Sequence, residues 1–278
     1  MHLYLKRKPI IKMKKIALYL FLLSFIAACR NEKNKVENSE SVVDTLSYSY
    51  DSIKVYSKNI VKTDAKESDT TKAVIQYPVF KNEELNKYIQ RQILNYFSEE
   101  DKAIIAYQDI AESFITGYDS FYKENKDTEQ AWFLNIDVNV LHQTANYIAL
   151  EYVHSDYSGG AHPNTNFSFI NYNPKTNQPL TLDSLIDKSN KAKLTSIAEG
   201  IFRKDEKLSP TVPLAGKYFF NDGKFTLPDN FYVSNKGLVF FYNPYEIKAY
   251  AYGITEVTVP SAALKEIAKP NTILTTTN

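Results

Sequence analysis

Apolar residues occur in this chain first as one unbroken run and then in two alternating periods. From Ile16 to Ala27 the sequence is apolar apart from Ser24 and carries no charge. Arg30 to Glu40 is polar and charged with a single valine, a composition with too little to bury, which predicts a disordered tether. Strand-like sequence follows at 45–60 and 71–80. Leu85, Tyr88, Ile89, Gln92, Ile93, Tyr96 and Phe97 then recur at helical spacing, predicting a helix over 82–97. Ile104, Tyr107, Ala111, Phe114, Tyr118 and Phe121 form the stripe of a second, expected over 99–122, with Gly117 placed to bend or end it. From Trp132 the period becomes two: Trp132, Leu134, Ile136, Val138 and Val140 alternate with Phe133, Asn135, Asp137 and Asn139, as in a half-buried strand. A turn over 142–146 leads into a partner strand at 147–157, making a long hairpin. A third strand at 166–173 is closed by Pro174. A helix at about 188–204, short strands at 217–220, 231–234, 237–242 and 254–259, and a small helix after Pro260 complete the chain. Helices inserted between strands of a largely antiparallel meander predict an α+β fold: a mostly antiparallel sheet with two helices inserted early and one to two later, in a two-part body.

The apolar run near the start has a chemical reading. Lys14 and Lys15 precede it and Ile26, Ala27 and Ala28 lead into Cys29, the only cysteine. About 12 apolar residues are too few to span a bilayer core as a helix, which takes about 20. Charge, length, small residues and cysteine together predict a bacterial lipoprotein signal peptide over 1–28, cut before Cys29, whose thiol takes a lipid. Met13 makes a more ordinary start for it than Met1. The leader holds Lys6, Arg7, Lys8, Lys12, Lys14 and Lys15 and no acid. Losing these six of 33 basic residues leaves 27 against 32 acids, so a whole-chain charge of +1 conceals a body near −5. That surface offers nothing to nucleic acid, which needs clustered Lys and Arg, and favours a cationic partner. A lone, lipid-bound cysteine excludes disulfides, so stability outside the cytoplasm has to come from the core. Localisation is therefore expected in the cell envelope, lipid-anchored to a membrane outside the cytoplasm, with residues 29–44 as the tether.

Functional residue types are densest from His154 to Pro163, where two histidines, Asp156 and several hydroxyls surround Gly159 and Gly160. In the sharp reading His154, Asp156 and His162 are a metal triad, since imidazole plus carboxylate suits zinc or iron. The bland reading gives the glycines positive φ in a tight connection and His162 a local hydrogen bond. No second cysteine or HExxH supports a metal, no GxSxG surrounds Ser155 or Ser158, and no phosphate-binding glycine motif is present. A second cluster, 240–252, crowds Phe240, Phe241, Tyr242, Tyr245, Tyr250 and Tyr252 together. Tyrosines with an apolar ring and a wet hydroxyl suit sugars or protein partners, although alternation along a strand buries about half of them.

Longer strings carry a family resemblance. Tyr157 to His162, Phe169 to Thr176, Leu180 to Ile186, and Gly237 to Gly253 with Val257 to Pro260 together resemble the RsiV-like C-terminal domain. The layout of roughly 46–150 resembles the PdaC-like domain that often precedes it. The best-understood members of that family are extracytoplasmic halves of anti-sigma factors that bind lysozyme, and others stand beside a polysaccharide deacetylase acting on peptidoglycan. The resemblance implies an envelope-facing recognition module with no established catalysis of its own. With no sigma-binding segment, no retained membrane helix and no deacetylase domain in this sequence, signalling and deacetylation are not carried over.

These readings converge on a lipid-anchored binding module with a PdaC-like domain at 45–150 and an RsiV-like domain at 151–278. It recognises a lysozyme-like protein or peptidoglycan and needs no cofactor. The expected binding residues are Tyr157, Gly159, Gly160, His162, Tyr242, Tyr245 and Tyr250, with Cys29 the lipidation site. The alternative is a hydrolase acting on envelope glycans through His154, Asp156 and His162, metal-dependent or not.

Overall fold

Two sheets share the body, and their order follows the period changes in the sequence. The computed structural model describes residues 46–62, 68–97 and 104–275. The expected signal peptide, Cys29 and the 29–44 tether lie outside them. Strands β1 (Tyr48–Lys62) and β2 (Ser68–Phe80) form an antiparallel pair. Helices α1 (Glu83–Phe97) and α2 (Tyr107–Glu124) then carry the chain across to β3 (Phe133–Thr144), which pairs parallel with β2. A parallel pair needs such a crossover, and this one departs from the simple meander. The antiparallel run β4 (Tyr147–Tyr157), β5 (Asn164–Asn173) and β6 (Gln178–Pro179) completes a six-stranded sheet in the order β1 to β6. The expected division at 150/151 falls inside β4.

After α3 (Leu182–Leu185) and α4 (Lys191–Asp205), a second, antiparallel sheet joins β7 (Phe231–Ser234), β8 (Gly237–Tyr242) and β9 (Thr255–Pro260), followed by α5 (Ser261–Leu264). The α+β prediction holds. Two expected elements change. The second helix starts at Tyr107 rather than Glu99: Ala106 is extended, and the Asp109 carboxylate accepts both the Ile105 and Ala106 N–H groups at 2.9 Å, fixing the start there. Residues 217–220 form no strand. Their alternation is real, with Tyr218 and Phe220 buried and Phe219 exposed, but the segment packs as a loop with one isolated bridge, Ala215 to Tyr218.

Alternation sorts the large sheet's side chains onto two cores. Ala73, Ile75, Leu134, Ile136, Val138, Ile148, Leu150 and Tyr152 pack beneath the apolar stripes of α1 and α2. On the other face, Tyr147 and Ala149 join α4 and the small sheet around Phe202, Leu238, Phe240 and Tyr242. Polar groups bolt the sheets together. The Tyr147 hydroxyl donates to Asn171 Oδ1 at 2.6 Å and accepts from the Val233 N–H at 2.8 Å, while Asn171 Nδ2 donates to the Phe231 carbonyl at 2.7 Å.

Candidate functional site

The face of β4 beneath the helices changes character along its length. Ile148, Leu150 and Tyr152 are buried, and the next two side chains of that face are His154 and Asp156. Their neighbours across the sheet are Ile136 and Leu134 on β3, and Asn166 and Asn164 on β5. His154 Nε2 lies 3.4 Å from Asp156 Oδ1, and its side chain is 11% exposed. Tyr96 meets the imidazole edge-on at 5.2 Å between ring centres and Phe97 lies at 5.4 Å. Burial among these rings pushes the His154 pKa below its ordinary value, against an opposing pull from Asp156. The histidine is thus neutral at pH 7, held by the carboxylate beside it.

Past Tyr157 the chain turns through Gly159 and Gly160, at φ 100° and 109°, a backbone region that glycine enters without penalty. The Tyr157 hydroxyl sits 3.0 Å from the Gly160 carbonyl and 2.7 Å from Gln130 Oε1, fixing the loop to the segment before β3. His162 follows, its Nδ1 2.8 Å from the Pro163 carbonyl oxygen. Its ring stacks on Tyr250 at 4.2 Å and 14°, and Tyr250 in turn meets Tyr245 at 5.3 Å.

Asparagine amides position that second cluster. Phe167 and Phe169 in β5 direct main-chain groups away from β4, and Asn230 and Asn243 satisfy them. Asn230 Oδ1 accepts the Phe169 N–H at 3.0 Å, Asn243 Oδ1 accepts the Phe167 N–H at 2.7 Å, and both amide nitrogens donate to the Phe167 carbonyl at 2.9 Å. With Asn243 clamped to β5, Pro244 and Tyr245 are delivered beside Asn164 and Asn166. Pro244 followed by Tyr245 at φ 68° has the pattern of a type II turn, and the Glu246 N–H donates to the Asn243 carbonyl to close it.

Two clefts result. The smaller, about 160 Å³, lies among Tyr96, Asn164, Thr165, Asn166, Pro244, Tyr245 and Tyr250. The larger, about 370 Å³, is walled by Phe97, Phe114, Trp132 and Leu134, with Ser113 and Ser158 on its rim. His154 and Asp156 line both.

Of the expected binding residues, Tyr157, Gly159, Gly160 and His162 thus stand on one loop, and its His162 meets Tyr250 and Tyr245. Tyr242 does not share this surface: it is buried in the second core and its hydroxyl donates to the Thr226 carbonyl at 2.6 Å. Nor do the three members of the metal triad converge. Among the described residues no three His, Cys, Asp or Glu side chains gather as a ligand set, because His162 is turned onto Tyr250. Sequence reasoning missed Tyr96, Trp132, Asn164 and Asn166 as site residues. Tyr96 and Trp132 fall on apolar stripes that read as core positions, and nothing in a strand pattern marks Asn164 and Asn166.

Residues 64–165 match the family profile described as Deacetylase PdaC, and residues 183–262 match the one described as Protein of unknown function (DUF3298). The chain is 23% identical over 219 residues to the peptidoglycan-N-acetylmuramic acid deacetylase PdaC of Bacillus subtilis, across 75% of this chain and 41% of that protein. It is 31% identical over 110 residues to the immunogenic protein MPB64 of Mycobacterium bovis, across 38% of this chain and 46% of the relative. The chain therefore spans less than half the length of these curated relatives. A crystal structure of a DUF3298-family protein from Bacteroides fragilis superimposes with a TM-score of 0.63 at 23% identity, covering 83% of this chain and 97% of the other. A second, from Pseudomonas aeruginosa, gives 0.60 at 19% identity over 82% and 96%. At these identities the likeness is one of fold. The chain carries a PdaC region followed by a DUF3298 region.

Proposed function

We propose that this protein is a cell-envelope binding module that recognises peptidoglycan glycan strands on the Tyr245–Tyr250–His162 platform and in the amide-lined cleft beside it. The observation that carries the reading is the His162–Tyr250 stack. It joins a loop of the PdaC region to a turn of the DUF3298 region and makes a fixed, partly exposed aromatic surface. A saccharide offers such a surface an apolar C–H face and a rim of hydroxyls. Tyr245 and Tyr250 meet the first, while Asn164, Thr165 and Asn166 supply donors and acceptors to the second. The similarity to a peptidoglycan deacetylase supports peptidoglycan as that glycan. The RsiV-like resemblance and the acidic body favour a lysozyme-like protein instead, which makes lysozyme the proper competitor in the test.

Cosedimentation with insoluble peptidoglycan sacculi checks the reading. The protein is expected to pellet with sacculi and to be released by soluble glycan fragments, and Tyr250→Ala to leave it in the supernatant. Binding to lysozyme with none to sacculi would overturn the assignment. The same proposal anchors the protein through lipid on Cys29. Cys29→Ser is expected to move it from the membrane to the soluble fraction on cell fractionation, and continued membrane association would contradict the anchor.

A further inference from the structure

The larger cleft has chemistry of its own. Three of its walls are the rings of Phe97, Phe114 and Trp132, and its apolar lining is completed by Ile104, Ile110 and Leu134. Trp132 is held in place by Phe114, Tyr118 and Phe121, with ring centres 6.2, 5.5 and 5.0 Å away, and its main-chain N–H donates to Thr71 Oγ1 at 2.8 Å. At the polar end stand Asp156 and His154, and among the described residues no lysine or arginine lines the cleft. Among the described residues the only ion-pair partner of Asp156 is His154, which its burial keeps neutral. Among the described residues the cleft therefore presents a carboxylate with no cation opposite it, beneath aromatic rings whose faces are negative.

Other ligand classes fit this badly. An anion would meet like charge at Asp156, with no basic group among the described lining residues to offset it. A wholly apolar ligand would strip water from the carboxylate and give it no partner in return. An ammonium group satisfies both features, since a cation is attracted to an aromatic face within about 6 Å and pairs with a carboxylate through charge-assisted hydrogen bonds. The Ser158 hydroxyl on the rim suits a carbon frame that carries polar groups of its own. A volume of about 370 Å³ accommodates one sugar ring or a short aminoalkyl chain.

We infer that this cleft is a seat for a primary ammonium group on a compact carbon frame, held by Asp156 and the Trp132 wall. Under the proposed function, on which it rests for the identity of the carrier, two parts of peptidoglycan bear such a group. One is an amino sugar that has lost its acetyl group, and the other is a stem-peptide side chain ending in an amine. In either case the protein would distinguish modified or peptide-bearing wall from plain N-acetylated glycan. The shared His154–Asp156 wall places this selection next to the cleft beside the tyrosine platform.

The chain has a single tryptophan, and it lines this cleft, so its fluorescence reports on occupancy directly. The full protein is titrated with de-N-acetylated chitotetraose, with its N-acetylated parent, with 1,5-diaminopentane and with lysine amide. A saturable change in Trp132 fluorescence is expected with an amine probe, at least tenfold tighter than with the N-acetylated parent. Asp156→Asn, which keeps shape and removes charge, is expected to abolish that preference. Response to the deacetylated sugar alone identifies the sugar as carrier; response to lysine amide or the diamine identifies the peptide-type amine. No saturable response to any amine probe, or none tighter than that to the N-acetylated parent, would overturn the inference without recourse to a variant. The sugar-free probes separate it from the glycan reading, because they bind or fail irrespective of the tyrosine platform.

Discussion

Tyr245 sits at φ 68° with its side chain exposed, a conformation that costs a residue with a Cβ about 1–2 kcal/mol. Strain of this kind persists where the surroundings over-determine it, here through Pro244 before it and Asn243 clamped to β5. Stability and binding should therefore separate at this position. Tyr245→Asn is expected to raise stability by about 0.5–1 kcal/mol, since asparagine tolerates the left-handed region, while weakening glycan binding by removing a ring from the platform. Denaturant titration beside a binding assay decides it, and a fall in both quantities would show that the tyrosine is held by packing. His154 offers the pH counterpart. Its folded-state pKa lies below the ordinary 6.5, so the unfolded chain takes up a proton first as the pH falls. Its stabilising contribution is complete above pH 6.5 and is lost as the pH falls from there through the depressed folded value. Asp137 and Glu246, whose pKa values burial raises, act in the opposite sense at lower pH. A stability profile should show a decline beginning near pH 6.5 that His154→Gln flattens; an unchanged slope in the variant would contradict this placement of the imidazole. The cluster of functional residue types was visible in the sequence at this scale, as were the positive-φ glycines. The stack of His162 on Tyr250 was not, because residues so far apart in sequence carry no mark of their contact.

Strand β4 carries two buried tyrosines that the same reasoning treats oppositely. Tyr147 points to the small sheet and exchanges two hydrogen bonds with Asn171 and the Val233 N–H. Tyr152 points beneath the helices, and its hydroxyl is buried with no hydrogen-bond partner among the described residues. Tyr147→Phe orphans a buried donor and a buried acceptor and is expected to cost about 2–4 kcal/mol. Tyr152→Phe removes an unsatisfied group and should be neutral or stabilising. Chemical denaturation of the two variants checks the pair, and equal losses would refute the assigned environments. The elements themselves were largely legible from period alone, since both long helices and the β3–β4 hairpin bury one face against a neighbour. Residues 217–220 show the limit of that signal. Alternate burial requires only that every second side chain meets a core, and a loop lying across α4 and β8 supplies that without a ladder. The parallel β2–β3 pair was hidden for a related reason: the helices between them announce a crossover but leave strand direction open.

Across the whole molecule, helices cover one face of the large sheet and the small sheet covers part of the other, so the end of β4 and its following loop lie where the PdaC and DUF3298 regions meet. Asn230 and Asn243 make that junction by completing the hydrogen bonding of β5 with side-chain amides. A platform built from both regions needs both for its geometry. This arrangement was the part least readable in advance: the sequence showed two clusters, 154–163 and 240–252, but asparagines that serve as an edge strand resemble ordinary turn residues. The leader and the family strings pointed to the envelope, while the choice of ligand rests on the rings and amides of the site together with the similarity to a peptidoglycan deacetylase. The most direct measurement is calorimetric titration of the protein with soluble peptidoglycan fragments, with lysozyme run in parallel and Tyr250→Ala as the paired variant. Saturable heat with the glycan, reduced at least tenfold in a variant of unchanged melting temperature, is the predicted result. No heat from the glycan, or the same affinity without the Tyr250 ring, would contradict the account.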